Sequence, residues 1–257
     1  IANGSSSATT SMLQYEIDIP LWELTELIGE KGALAAYRAC STAIDQLEVI
    51  CKKIKSEAGF RKKESLYFAT FKKDVPDLLK EFEARKKAGF EVEWLEADQI
   101  LKKFKIDKTF GGILSKQGAS IDAYILVHEL LAYNVKKGLQ VYDKTTLESV
   151  TYASNKNTVK LSNGILIKAK KIMYCVGYES TTMIKEKFVN LISTFAIVSE
   201  IEPKYSKQYN DLLVWNTAKP YMYMRTTDEG RILIGGEDEH FQNPELRNQM
   251  ISKKKEK

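Results

Sequence analysis

Residues 221–236 read Tyr221-Met222-Tyr223-Met224-Arg225-Thr226-Thr227-Asp228-Glu229-Gly230-Arg231-Ile232-Leu233-Ile234-Gly235-Gly236. Side chains alternate across a strand, so Tyr221, Tyr223 and Arg225 share one face, opposite Met222 and Met224. Asp228-Glu229-Gly230 carries turn chemistry, and 231–236 is a second apolar run. The stretch therefore predicts an antiparallel hairpin. Strands are also expected at 194–201 and 212–216 on one side of it. Further upstream, 146–152, 158–161 and 165–167 follow, with Asn163-Gly164 as a two-residue hairpin turn. Lys171 to Gly177 reads as a buried-type strand that stops at a glycine.

The amino-terminal half has a different rhythm. Leu21, Leu24, Leu27 and Ile28 fall on one helical face, with Gly32 expected to end that helix. Ala36, Ala39, Cys40, Ala43, Ile44, Leu47, Ile50, Cys51 and Ile54 recur at three and four, a long helix that Gly59 is expected to close. Ser65 to Phe71 is an aromatic strand. Asp74 to Lys87 is a helix with Pro76 in its first turn and Gly89 after its end. Strands at 90–95 and 110–114 bracket a short helix bearing Ile100, Leu101 and Phe104, and a helix from Ile121 to Lys137 closes at Gly138. Helices and mixed strands without regular alternation imply an α+β fold, or α/β with an inserted antiparallel sheet.

Composition narrows the function classes. Of the formal charge of +5, much lies in one tail, Lys253-Lys254-Lys255 with Lys257. Elsewhere Lys and Glu alternate as on solvated helix faces, which argues against nucleic-acid binding. Cys40, Cys51 and Cys175 stand far apart with no CxxC, so free thiols in a reducing compartment are expected. His128 and His240 are the only histidines, and neither has ligand-like neighbours, so no metal is expected. No apolar run approaches the roughly 20 residues that span a bilayer, and no signal segment is visible. The chain reads as cytoplasmic. It opens at Ile1 without a methionine and closes at the start of an amphipathic helix, so both ends read as cut.

Three segments carry candidate chemistry. Gly4-Ser5-Ser6-Ser7-Ala8-Thr9-Thr10-Ser11 sets hydroxyls and a glycine ahead of a helix, which suits a diphosphate and equally a plain capping loop. Tyr174-Cys175-Val176-Gly177 ends a strand where a ligand can approach the main chain, or where the chain simply turns. Tyr221, Tyr223 and Arg225 can clamp a small carboxylate-bearing substrate, or form a solvent-side ladder.

Taken in order, these pieces resemble the D-amino-acid oxidase and glycine oxidase superfamily of FAD-dependent oxidoreductases. Asn3 to Leu13 is similar to the small-residue loop and helix after the second strand of that family's FAD domain. Gln117-Gly118-Ala119-Ser120-Ile121-Asp122-Ala123, a helix, then Gly138-Leu139-Gln140-Val141 resembles its "G-x-x-D-P, helix, G-x-x-V" passage, with Thr146 to Val150 as the next strand. Lys170 to Gly177 resembles "A-x-x-V-V-x-A-x-G", and Asp228 to Gly236 the "D-G-R-x-x-I-G-G" hairpin. The resemblance covers nearly the whole chain. It implies a partial FAD-binding domain over 1–60 and 115–190, and a mixed-sheet substrate domain over 61–114 and 191–257. It also implies that Ser5, Ser6 and Ser7 lie near the FAD diphosphate or ribityl chain, and that Thr9, Thr10, Ser11 and Met12 approach the flavin ring. Leu147 would meet adenine through its main chain, Val176 and Gly177 would line the cofactor's path, and Tyr221, Tyr223 and Arg225 would face the substrate.

There are departures from the family pattern. Ala123 stands where proline is usual. The G-x-G-x-x-G turn that anchors pyrophosphate, its acidic ribose partner and the segment that closes over the flavin are all absent. The implied enzyme oxidises an amino acid, amine or hydroxy acid by hydride transfer to FAD. These 257 residues alone are expected to bind FAD weakly or not at all, and to be inactive. No general base stands out, which fits a substrate that arrives deprotonated. Two other readings stay open: a flavoenzyme for a phosphorylated or dicarboxylic hydroxy substrate, and a non-catalytic partner-binding module formed by helices 20–58 and 74–88. The charged faces at Lys52-Lys53 and Arg85-Lys86-Lys87 suit solvent better than an interface.

Overall fold

A computed structural model describes residues 1–186, 189–240 and 243–256. The elements, in chain order, are α1 (Ser5–Ala8), β1 (Met12–Gln14), α2 (Leu21–Ile28), α3 (Glu30–Ile54), β2 (Arg61–Phe68), α4 (Val75–Lys87), β3 (Val92–Leu95), α5 (Ala97–Phe104), β4 (Gly112–Ser120) and α6 (Ala123–Val135). They continue with β5 (Leu147–Thr151), β6 (Asn157–Leu161), β7 (Leu166–Ala169), β8 (Ser193–Ile201), α7 (Pro203–Tyr209), β9 (Leu212–Asn216), β10 (Met222–Thr226), β11 (Arg231–Glu239) and α8 (Pro244–Lys255). The chain divides into two units, Ile1–Ala8 with Val127–Asn190, and Thr9–Leu126 with Leu191–Lys257.

The larger unit is built on one mixed sheet, ordered β1-β4-β2-β9-β10-β11-β8, with β3 also paired to β4. Strands β10 and β11 form the expected hairpin, Met222 opposite Gly236 through to Thr226 opposite Ile232. The one parallel pairing along this order joins β2 to β9 and sets Tyr67 beside Trp215. Alternation then fills both faces. Leu66, Leu114, Leu212 and Val214 pack on Ile100 and Phe104 of α5. Ala69 and Ile113 pack on Leu78 and Phe82 of α4. Each large apolar side chain buried this way stabilises the unit by roughly 1.5–3 kcal/mol.

Helix α3 buries Ala33, Tyr37, Ile44 and Cys51 along one stripe, against Leu21, Leu24 and Tyr15. Two glycine assignments change. Gly29, at φ 83°, separates α2 from α3, while Gly32 lies within α3. Helix α3 closes on Lys55, itself left-handed at φ 54°. Gly59 comes later, where a Cβ would sit 2.1 Å from Asp228 Oδ2. It makes room for a side chain and does not end a helix.

A larger correction concerns Arg85. Its side chain is 1% exposed and bonds Glu16 at 3.0 Å and Glu81 at 2.6 Å, both equally buried. Glu81 also accepts from the Trp22 main-chain N–H at 3.2 Å and the Tyr37 hydroxyl at 3.3 Å. Burial raises Glu16 above the usual carboxylate range despite Arg85. Arg85 thus belongs to a core ion cluster and not to the solvated face expected from its lysine neighbours.

The smaller unit holds α1, most of α6 and a three-stranded antiparallel sheet, β5-β6-β7, turned at Gly164 (φ 86°) as Asn163-Gly164 predicts. The strand expected at 171–177 is absent. Residues 171–176 have no regular structure, and Met173 is 87% exposed. No described strand pairs with this segment, so its amide and carbonyl groups have no ladder to join.

Candidate functional site

A cavity of about 340 Å³ opens on the larger unit. Its wall is aromatic. Tyr67 and Trp215, brought side by side by the β2–β9 pairing, stack with ring centroids 3.6 Å apart and planes 7° apart. Trp215 Nε1 donates to Ser65 Oγ at 3.2 Å, which fixes the indole. Tyr221 and Tyr223 face the same space, their centroids 5.8 Å apart. Thr10 and Met12 form another edge, and Gln14, Glu16, Asp18, Asn216, Thr217 and Lys219 supply the polar lining.

Burial pushes the Tyr67 phenol up to about 12. Tyr221 is also pushed up to about 12, by burial first and then by the negative charges of Asp18 and Asp238. Both phenols are therefore neutral hydrogen-bond donors at physiological pH.

The Gly235-Gly236 pair explains itself here. A Cβ on Gly235 would lie 2.3 Å from the Tyr223 ring and hydroxyl, and one on Gly236 would lie 2.1 Å from the Tyr221 carbonyl oxygen. Gly236 also sits at φ 131°. The hairpin carries glycines so that β10 and its tyrosines can lie flat against β11.

Arg225 is placed differently from its two neighbours. Its Nε donates to the Thr10 carbonyl and its Nη1 to the Thr226 carbonyl at 3.0 Å. It lines a separate hollow that also holds Asp122 and Asp228. With its fork engaged on main-chain oxygens, Arg225 ties the Thr10 edge to β10. Within that edge, Ser11 N donates to Thr9 Oγ1 at 3.1 Å, Ser11 is left-handed at φ 50°, and Met12 pairs with Ser120.

The remaining sequence-designated residues, Ser5, Ser6, Ser7, Leu147, Val176 and Gly177, fall in the smaller unit. Helix α1 is a single turn, too short for the aligned peptide dipoles of a long helix. Ser7 is exposed, and its hydroxyl donates to the Gly4 carbonyl at 2.9 Å. Leu147 is 42% exposed and pairs with Leu161. Gly177, at φ 61°, opens a 3-10 turn, and the space where its Cβ would stand meets nothing nearer than Glu179 Oε2 at 3.8 Å. Nothing lies within 4 Å of a Cβ built on Gly4. The main chain at Gly4 and at Gly177 is thus open to close approach.

Among the described residues, no group of three or more His, Cys, Asp or Glu is placed to hold a metal, and no helix is long and apolar enough to cross a membrane. Sequence reasoning passed over Trp215, Asp18 and Lys219. Tyr67 was visible only as part of an aromatic strand, because nothing local announces the parallel β2–β9 pairing.

Residues 1–254 match the family model described as FAD dependent oxidoreductase (DAO). The chain belongs to that family. Solved structures agree on the fold. Glycine oxidase from Geobacillus kaustophilus superposes with a TM-score of 0.71 at 15% identity, over 94% of this chain and 63% of the oxidase. L-proline dehydrogenase from P. horikoshii gives 0.73 at 12%, over 95% and 65%. The FAD-bound L-α-glycerophosphate oxidase from Mycoplasma pneumoniae gives 0.69 at 13%, over 96% and 64%. The chain thus spans less than two-thirds of each of these proteins. No curated protein sequence matches it.

Proposed function

We propose that this chain supplies the substrate side of an FAD-dependent oxidoreductase that oxidises a C–N or C–O bond next to a carboxylate. The observation that carries the reading is the aromatic cavity, bounded by the Thr10–Met12 edge and by two neutral phenols. FAD, when bound, supplies the two-electron acceptor. Ser5 and Ser6 would hold its phosphates while Ser7 keeps the turn. Thr9, Thr10, Ser11 and Met12 would border the flavin, Leu147 the adenine, and Val176 and Gly177 the path between. Tyr221 and Tyr223 donate hydrogen bonds to the substrate carboxylate, and exposed Lys219 adds a positive charge at that cavity. The stacked Tyr67–Trp215 wall keeps water from the reacting carbon. Arg225 acts through the Thr10 carbonyl, as a positioning residue.

The reading for a phosphorylated or dicarboxylic hydroxy substrate calls for more basic side chains around the 221–225 face. The cavity's single lysine, Lys219, shares the lining with Glu16 and Asp18, a balance that does not favour it.

Three measurements test the proposal. Anaerobic bleaching of the flavin band in the full-length protein, by a panel of amino acids and hydroxy acids, identifies the substrate. Tyr221→Phe should raise KM for it about 10-fold or more, the loss of one hydrogen bond to a charged group. An unchanged KM in both Tyr221→Phe and Tyr223→Phe would overturn the assignment of the cavity. Equilibrium dialysis of the 257-residue polypeptide should show weak FAD binding, because G-x-G-x-x-G is not among these residues. Tight stoichiometric binding would refute that.

A further inference from the structure

Met12, Gln14, Glu16 and Asp18, at alternate positions along β1 and beyond it, all line the aromatic cavity. Tyr15, between them, packs into the core against Phe90, with ring centroids 4.7 Å apart. Of the two carboxylates in that lining, Asp18 is exposed. Glu16 is not: its side chain is 1% exposed, and only one of its oxygens is engaged. Oε1 accepts from Arg85 Nη1 at 3.0 Å, whereas Oε2 is buried with no hydrogen-bond partner among the described residues. Glu81, the other carboxylate on Arg85, has a donor on each oxygen. Arg85 Nε and the Tyr37 hydroxyl serve its Oε1, and the Trp22 N–H serves its Oε2.

A buried acceptor without a donor is costly and rare in a native interior. This one belongs to a residue in the wall of a cavity whose other groups, the Tyr67 and Tyr221 phenols and Lys219, are donors suited to a carboxylate. What they do not offer is an acceptor, shielded from water, for the N–H or O–H on the carbon to be oxidised. Charge points the same way. Arg85 and Glu81 of α4, Tyr37 of α3 and the adjacent Tyr15 face Glu16 from the core, and Asp18 and Lys219 are the charged groups on the cavity side. Both tyrosines are held neutral by burial, so one cation stands against two anions in the core cluster. Burial raises Glu16 above the usual carboxylate range while Arg85 opposes it, which moves the carboxylate toward the basicity that proton abstraction needs.

We propose that Glu16 is the general base of the reaction, its Oε2 taking the proton from the substrate nitrogen or oxygen on the carbon that is oxidised. The N–H or O–H bond breaks, its electron pair stays on the heteroatom, and an O–H bond forms at Glu16. The core cluster is then one cation and one anion beside a neutral acid. The electron pair left on the heteroatom assists loss of hydride from the carbon. This rests on reading the aromatic cavity as the substrate site, and it replaces a substrate that arrives deprotonated by one deprotonated in place.

Two measurements on the full-length flavoprotein test the assignment. The first is binding, by isothermal titration. 2-Aminoisobutyrate and 2-hydroxyisobutyrate carry the donor but no α-hydrogen, so they bind without reacting, and isobutyrate lacks the donor. At least one of the first two should bind about 10-fold or more tighter than isobutyrate. Glu16→Gln should erase that gain and still bind isobutyrate, which shows that the variant keeps its fold. The second is anaerobic flavin bleaching by the best reductant of the substrate panel. Glu16→Gln should slow it about 100-fold or more at pH 8, and the ratio of parent to variant rates should shrink toward pH 5, as Glu16 itself takes up a proton. A structural role would lower the rate by one factor at every pH. A gain over isobutyrate that is missing, or that survives Glu16→Gln, or a rate ratio constant across pH, overturns the proposal and leaves the cavity assignment standing. If Tyr221→Phe and Tyr223→Phe both leave isobutyrate binding untouched, the cavity assignment fails and the base falls with it.

Discussion

Replacing Arg85 with methionine removes the cation from a buried group of three charges. Arg85, Glu81 and Glu16 side chains are each 1% exposed, with ionic contacts of 3.0 and 2.6 Å. At an effective dielectric of about 20, each contact represents roughly 5–6 kcal/mol of gross attraction. Most of that is offset by withdrawing the three ions from water. The measurable quantity is the cost of leaving two carboxylates without their cation, about 3–5 kcal/mol. Methionine keeps the apolar stem, so packing loss adds little.

Urea unfolding followed by tryptophan fluorescence is the suitable assay, because Trp22, Trp94 and Trp215 all lie in the larger unit. The pH dependence checks the cause. Without Arg85, Glu16 loses the charge that opposes the upward push of burial and stands still further above its unfolded value. A carboxylate raised in the folded state costs stability above its unfolded pKa, and the cost is relieved as pH falls through the folded value. The gap between Arg85→Met and the parent should therefore narrow from pH 8 to pH 5. Glu16→Gln, which removes the carboxylate that burial already raises, should cost less than about 1.5 kcal/mol. A gap below about 1 kcal/mol at pH 7, or one that widens on acidification, would refute the account of the cluster.

Lys63 offers the opposite sign. It is 4% exposed, its Nζ donates to the Asn210 carbonyl, and burial lowers it to about 8. Below pH 8 the fold carries a buried charge at a cost, and that cost fades as pH rises from 8 toward the ordinary lysine value. Lys63→Met should thus stabilise the protein at pH 7 by about 1 kcal/mol after solvent screening and the lost hydrogen bond, an advantage that unfolding curves at pH 10.5 no longer show. Gly235→Ala should displace the Tyr223 ring, since the new Cβ falls 2.3 Å from it. The near-ultraviolet circular dichroism should change and substrate affinity fall about 10-fold, while Tyr223→Ala in the same chain should absorb the clash and make the second substitution nearly silent.

Local pattern reached as far as local physics does. The 221–236 hairpin was legible because alternation and turn chemistry act within a dozen residues, and α4 because Pro76 and Gly89 mark its ends. Segment 171–177 has the same apolar signature as a strand, yet a signature reports only which faces a segment can offer, and a strand also needs a neighbour. The Arg85 cluster was half legible, since Glu81 lies one helical turn away. Its other partner, Glu16, is 69 residues distant, and a basic run gives no sign that one member turns inward.

The candidate site divides the same way. Tyr221 and Tyr223 were readable as one face, but alternation cannot say what stands opposite that face. The parallel β2–β9 pairing supplies Tyr67 and Trp215, and the β10–β11 register sets Tyr223 over Gly235. Arg225 shows the limit most clearly. It occupies the right parity on β10, yet its guanidinium is spent on the Thr10 and Thr226 carbonyls. A five-donor fork near main-chain oxygens bonds to them, because an unpaired buried carbonyl costs about 1–3 kcal/mol. The chain therefore uses its strand arginine to hold the cavity's edge in place. Under the proposed function, substrate recognition falls to the phenols and Lys219.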